Sequence, residues 1–94
     1  MKIIAIEKES EKENIDNHAI LKEEAAQVWN LYKEGIIREI YFTTKNNRAV
    51  LMLECKDEKE AEFYLNKLPL VMKNLIQFEI HLLKNYDGFE RLFV

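Results

Sequence analysis

Glu79 and His81 stand two residues apart in one alternating stretch, as Glu39 and Tyr41 do in another. On a β-strand that spacing puts both members of a pair on one face, about 6–7 Å apart along it. A carboxylate and an imidazole so placed suit proton transfer, provided partial burial moves a pKa toward neutrality. Glu79 and His81 are therefore the candidate catalytic residues, with Glu39 and Tyr41 as candidate ligand contacts. More simply, both pairs keep outer strands polar and hydrogen-bond between subunits. A second candidate ligand site draws on Trp29, Arg38, Glu54 and Tyr64, with Tyr32 beside them. By alternation Arg38 shares a side with Ile40 and Phe42, so its guanidinium must reach solvent, a carboxylate such as Glu54, or an anionic ligand. Trp29 and Tyr64 otherwise read as core packing.

Other chemistries have less to stand on. His18, His81 and Cys55 are the strong metal ligands besides the carboxylates, and no two of them stand at a recognised ligand spacing. No metal is expected. Cys55 precedes a helix, and it becomes a nucleophile only if a cation or helix terminus depresses its pKa; otherwise it packs. No glycine-rich phosphate loop occurs, so no nucleotide or other cofactor is expected. Lys and Arg total 14 against 17 Asp and Glu, a net charge of −3, which argues against a nucleic-acid partner. One cysteine excludes an intrachain disulfide and fits a reducing compartment. Lysine at position 2 and glutamate at position 7 break up any signal peptide, and no apolar run approaches the roughly 20 residues of a membrane span. These features together predict a cytoplasmic protein with no membrane contact.

Ninety-four residues make one domain, 1–94, and only 2 Gly and 1 Pro leave no room for a linker. Met1 to Ile6 is a continuous apolar run of strand length, the pattern of a central strand. Glu7 to Asn17 is a polar loop. Asp16 or Asn17 caps a helix that runs to Glu34 and stops at Gly35, with Leu21, Ala25, Val28 and Tyr32 as its inner stripe and Trp29 widening it. Ile36 to Thr44 alternates, with Ile37, Glu39 and Tyr41 on the side away from Ile40 and Phe42. Asn46-Asn47 is a two-residue turn, and Ala49 to Leu53 returns as a second apolar strand. Asp57 caps a second helix with the stripe Ala61, Tyr64, Leu65 and Leu68, ended by Pro69. Leu75 to Leu83 alternates again, with Phe78, Ile80 and Leu82 opposite Gln77, Glu79 and His81.

The order is βαββαβ, which predicts an α+β, ferredoxin-like fold. Right-handed crossovers put the first and third strands in the middle of a four-stranded antiparallel sheet, with both helices on one face. The other face, carrying Ile37, Glu39, Tyr41, Gln77, Glu79 and His81, is left for a second copy, which predicts a homodimer or a higher multiple of dimers. In the tail, residues 85–94, the side chains Phe89, Leu92 and Phe93 share one side of a short helical turn and are expected to contact the partner chain.

Several segments resemble muconolactone isomerase-like proteins of the dimeric α/β-barrel superfamily. They are Trp29-Asn30-Leu31-Tyr32-Lys33-Glu34-Gly35-Ile36-Ile37-Arg38-Glu39-Ile40-Tyr41, Ala49 to Cys55, Glu60-Ala61, Leu68-Pro69-Leu70, and Ile76 to Leu83 followed by Tyr86-Asp87-Gly88-Phe89 and Leu92-Phe93. The resemblance spans about residues 19 to 94. It implies two ferredoxin-like domains pairing as a dimeric α/β barrel. It also implies a small-molecule-binding or cofactor-independent isomerase-like function, with a small organic anion as the ligand class. Lys84-Asn85-Tyr86-Asp87 replaces the His-Pro pair that usually closes the family, and Asn46-Asn47 replaces a hairpin glycine, so the lactone double-bond shift itself does not carry over. The alternative is a non-enzymatic homo-oligomeric assembly or regulatory module.

Overall fold

The computed structural model describes residues 1–9 and 17–94. Its elements are β1 (Lys2–Glu7), α1 (His18–Lys33), β2 (Ile37–Phe42), β3 (Ala49–Glu54), α2 (Glu58–Leu65), a single-turn α3 (Pro69–Met72) and β4 (Phe78–Leu82). A 3₁₀ segment over Gly88–Phe93 follows. The sheet is antiparallel in the order β2-β3-β1-β4, so the two continuous apolar strands are central and the two alternating ones are edges, as the sequence predicts. This is the ferredoxin-like α+β arrangement. The core lies between sheet and helices. Ile3, Ile37, Leu51, Leu53 and Leu68 are its largest fully buried side chains, and Ala5, Leu31, Cys55, Ala61 and Leu65 complete it. Burying each aliphatic side chain of that size stabilises the fold by about 1.5–3 kcal/mol.

Asn17 is the helix cap, its Oδ1 accepting from the backbone of Ala19 at 3.1 Å and Ile20 at 3.2 Å; Asp16 lies outside the described residues, as does most of the expected loop. At the other end of α1 the Gly35 amide bonds to the Tyr32 carbonyl and the Ile36 amide to the Leu31 carbonyl, which closes the helix as a Schellman motif. Gly35 takes φ +79°, a conformation disfavoured for side chains with a Cβ. The hairpin between β2 and β3 is longer than two residues: Thr43 and Arg48 bond backbone to backbone at 2.8 Å, and Asn47 alone has a positive φ, of 56°.

Three further expectations change. First, the buried side of α1 carries Ile20 and Leu31, with Glu24, Gln27 and Val28 half-buried between them. Leu21, Ala25, Trp29 and Tyr32 are exposed, so the stripe read as inner is not part of the core; with Val28 it borders an open groove between α1 and the sheet. Both lines of residues are apolar enough to pass as a core face, and packing selects the one ending in Leu31. Second, β2 pairs with β3 through a β-bulge: Ile37 is opposite Leu53 but Glu39 is opposite Met52, leaving Arg38 as the extra residue. The bulge shifts the phase of the strand. Ile37 is 1% exposed on the helix side, not on the open face with Glu39 and Tyr41. Third, Pro69 does not merely end α2; it occupies the first turn of α3, where its missing N–H costs nothing.

Gly35→Ala should destabilise the fold by about 1–2 kcal/mol, because alanine must adopt the left-handed conformation there. For a domain of this size that lowers Tm by roughly 4–8 °C per kcal/mol. An unchanged melting curve would mean that the α1–β2 turn relaxes around the new methyl group.

Candidate functional site

The residues singled out by the sequence separate onto two sides of the sheet. On the open side, strand registers lay out two rows of four side chains. One reads Tyr41–Val50–Ile6–Glu79 across the sheet, and the next reads Glu39–Met52–Ile4–His81. Ile4, Ile6, Val50 and Met52 form a half-buried apolar centre, with a Glu–Tyr pair along one edge and a Glu–His pair along the other. His81 Nε2 lies 3.2 Å from Glu79 Oε1, and both side chains are about half exposed. The Tyr41 hydroxyl donates to Glu39 Oε1 at 2.8 Å, and this bond holds the phenol pKa above its ordinary value. Its proton is committed to Glu39. Glu54, on the same side, bonds the N-terminal ammonium at 2.9 Å, which lowers its carboxyl pKa; Arg38 adds only a longer-range attraction. Of the partners open to Arg38 in the sequence, Glu54 is thus not the one it bonds.

On the helix side an open groove of about 1350 Å³ runs between α1 and the β2–β3 hairpin. Trp29 and Tyr32 stack with ring centroids 5.9 Å apart, and Lys33 Nζ sits 5.7 Å from the Trp29 ring. They face Ile40 and Phe42, which sit on the helix side of β2 opposite Leu51 and Ala49 yet stay exposed because α1 does not reach over them. Arg38, at the bulge, donates through Nε to the Gly35 carbonyl at 2.6 Å. It lines both this groove and a smaller recess of about 400 Å³ over the α1–β2 turn. Trp29 thus pairs with Tyr32 rather than with Tyr64. Tyr64 sits on α2 in edge contact with Phe63, half-buried against the core and away from the groove.

Glu24 is the groove residue that sequence reasoning missed. Its Oε1 accepts from the Leu70 amide at 3.0 Å, so it caps the first turn of α3, where Leu68 supplies no capping side chain and Pro69 has no N–H. Burial, and more weakly the nearby charge of Glu7, raise its carboxyl pKa above the ordinary value. The signal was its place four residues after Ile20 and four before Val28, an acid set within an apolar line.

Other candidates fall to structural roles. Cys55 is buried, and desolvation together with Glu60 and Glu54 pushes its thiol pKa up, the opposite of what a nucleophile needs. His18 is the exposed first residue of α1. Among the described residues no cluster of three or more His, Cys, Asp or Glu is arranged to hold a metal. No helix among them is long and apolar enough to cross a membrane. No family model matches the chain, and neither does any curated protein.

A carboxyl whose folded-state pKa is raised favours folding most when protonated, and that contribution is lost as pH rises from the unfolded value through the folded one. Glu24→Gln keeps the acceptor for Leu70 but carries no charge. The stability of the variant relative to wild type should therefore be greater at pH 7 than at pH 4, measured by paired thermal melts. Equal differences at both pH values would show that Glu24 has no raised pKa.

Proposed function

We propose that this chain is a homodimeric small-molecule-binding domain of the dimeric α/β-barrel kind, akin to the muconolactone isomerase-like proteins. The observation that carries the ligand reading is the α1–β2 groove, where Trp29, Tyr32, Ile40 and Phe42 stay exposed on the side of the sheet that normally builds the core. Exposed aromatic and aliphatic walls with a few polar groups are the usual composition of a ligand site. The ligand class is a small organic anion with an apolar body. Its body lies against the four apolar side chains and its acidic group meets the guanidinium of Arg38, which is held at the groove by its Nε bond to the Gly35 carbonyl. The chemistry nearest to hand is cofactor-independent proton transfer. Glu24, a half-buried carboxyl whose pKa burial raises above the ordinary value, is the group inside the groove suited to it.

The Glu79–His81 pair lies on the other side of the sheet, where it serves the dimer. A two-fold axis running along the strands stacks open face on open face and brings Glu79 and His81 of one chain over Glu39 and Tyr41 of the other. A two-fold axis across the strands would instead set Glu39 against its own copy. Charge complementarity favours the first arrangement, with the apolar quartets packed at the centre. The rival is an assembly module without ligand, favoured by the same open face and separated from the ligand reading by the binding measurement below.

Size-exclusion chromatography with light scattering should return twice the 11.3 kDa chain mass at micromolar concentration. Val50→Asp should shift it to the single-chain mass, since a charge would then sit unpaired between the faces. A monomeric wild type overturns the dimer. For the groove, the probe is the anionic dye 8-anilinonaphthalene-1-sulfonate, read by energy transfer from Trp29, the only tryptophan. Binding should be saturable and weakened about tenfold, roughly 1.4 kcal/mol, by Phe42→Asp. Dye binding indifferent to Phe42→Asp would overturn the groove as the ligand site.

A further inference from the structure

The polar ends of the open sheet face are not charge-balanced. Within a chain His81 Nε2 lies 3.2 Å from Glu79 Oε1, and Glu39 accepts the Tyr41 hydroxyl through Oε1. Among the described residues, His81 Nδ1 and Glu39 Oε2 have no partner, so both can bond across an interface. Glu39 is opposite Met52, Met52 is opposite Ile4, and Ile4 is opposite His81, so Glu39 and His81 end one row at opposite edges. Three strand spacings, about 14 Å, keep them apart in one chain. A two-fold axis along the strands sets His81 over the partner's Glu39, with about 10 Å between the sheets for the two side chains to meet. The adjoining row brings Glu79 over the partner's Tyr41. The same four-residue cluster therefore forms twice, once at each edge of the dimer.

Each cluster holds two carboxylates and one imidazole, and the imidazole decides how it closes. A neutral imidazole has one N–H, and its other nitrogen is an acceptor. It donates to Glu79 or to the partner's Glu39 and turns a lone pair on the other carboxylate. An imidazolium donates to both and cancels one of the two negative charges. The remaining groups on this face do not compete for that role. Ile4, Ile6, Val50, Met52 and Gln77 carry no charge, and the bond to Glu39 raises the Tyr41 pKa, so the phenol keeps its proton. Lys2 is opposite Glu54, and the same axis sets it over the partner's Glu54. Glu54 already holds the Met1 ammonium within one chain, so that pair is common to both states. Lys8 and Arg48 lie beyond Ile6 and Val50 at the far end of the strands, and Lys84 lies past the end of β4.

We propose that the dimer face is a pH-sensitive joint, in which His81 of each chain, protonated between Glu79 and the partner's Glu39, locks the two sheets together as pH falls. This rests on the dimer proposed above. The two clusters let the dimer bind up to two protons more than two separate chains, so falling pH favours the dimer. The gain is complete once the separate chains are protonated too, and it is lost as pH rises and the dimer gives up those protons. An imidazole in ordinary surroundings changes charge between about pH 5 and 8, which sets the window. Glu79 and His81 are about half exposed, so solvent weakens each cluster to about a threefold effect. Two clusters together give about tenfold.

The test is the dimer dissociation constant of the full chain, measured by sedimentation equilibrium at pH 8, 7 and 6 and constant ionic strength. For the wild type it should be about tenfold lower at pH 6 than at pH 8. His81→Asn should bring that ratio to about one, and Glu39→Gln should remove most of it. His18→Asn, at the exposed start of α1, should leave the ratio unchanged, which separates the joint from a general loss of negative charge. A wild-type constant that does not vary with pH, or a ratio that survives His81→Asn, overturns the joint while the dimer stands. A single-chain mass at every pH overturns the dimer itself. Should the dimer be too tight to dissociate on dilution, exchange with isotope-labelled chains, read by native mass spectrometry, replaces the equilibrium. Exchange should then be about tenfold slower at pH 6, with the same variants and the same overturning outcomes.

Discussion

The pairing of Ile37 with Leu53, one residue out of step with the rest of β2, governs which side of the sheet every later residue of that strand occupies. It seats Ile37 in the core beside Leu31 and Leu53. It also leaves Ile40 and Phe42 on the helix side and Glu39 and Tyr41 on the open side. Without the bulge one of these sets would be misplaced. Either Ile37 would leave the core, or the apolar pair would turn to the open face and the polar pair into the groove. The Gly35 turn and the Arg38 side chain, bonded back to the Gly35 carbonyl, hold the bulge directly beneath the end of α1.

Helix cover accounts for the rest of the architecture. A 16-residue helix spans about 24 Å, and α2 and α3 are short, so the helices cannot blanket four strands. The cover is placed over β1, β3, β4 and the start of β2, and the remaining length of β2 stays bare. Glu24, which also lines this gap, ties α1 to α3 through its bond to the Leu70 amide.

Strand order is legible in the sequence because burial on two faces and on one leave different marks. β1 and β3 are continuous apolar runs, whereas β2 and β4 alternate. The helix boundaries are equally plain, since Asn17, Gly35 and Asp57 act through local backbone chemistry. The bulge is not legible, because a single extra residue leaves the alternation of Glu39, Ile40, Tyr41 and Phe42 intact and shifts only Ile37. The rotation of α1 is hidden for a related reason: Ile20–Leu31 and Leu21–Tyr32 are parallel lines of similar hydropathy. Among the candidate site residues, the two same-strand pairs, Glu39–Tyr41 and Glu79–His81, follow from a spacing of two. The partner of Glu54 does not, because it is the charge of the chain terminus and not a side chain.

The bulge has one more effect, on the outer margin of the sheet. The unpaired side of β2 offers free amides and carbonyls along a strand rich in isoleucine and aromatics, the kind of template onto which foreign strands grow into fibrils. A kink at its first turn, with a guanidinium folded over it, breaks the regular spacing that such growth requires. The irregularity that sorts residues between the two faces therefore also guards the chain against templated aggregation along its most vulnerable edge.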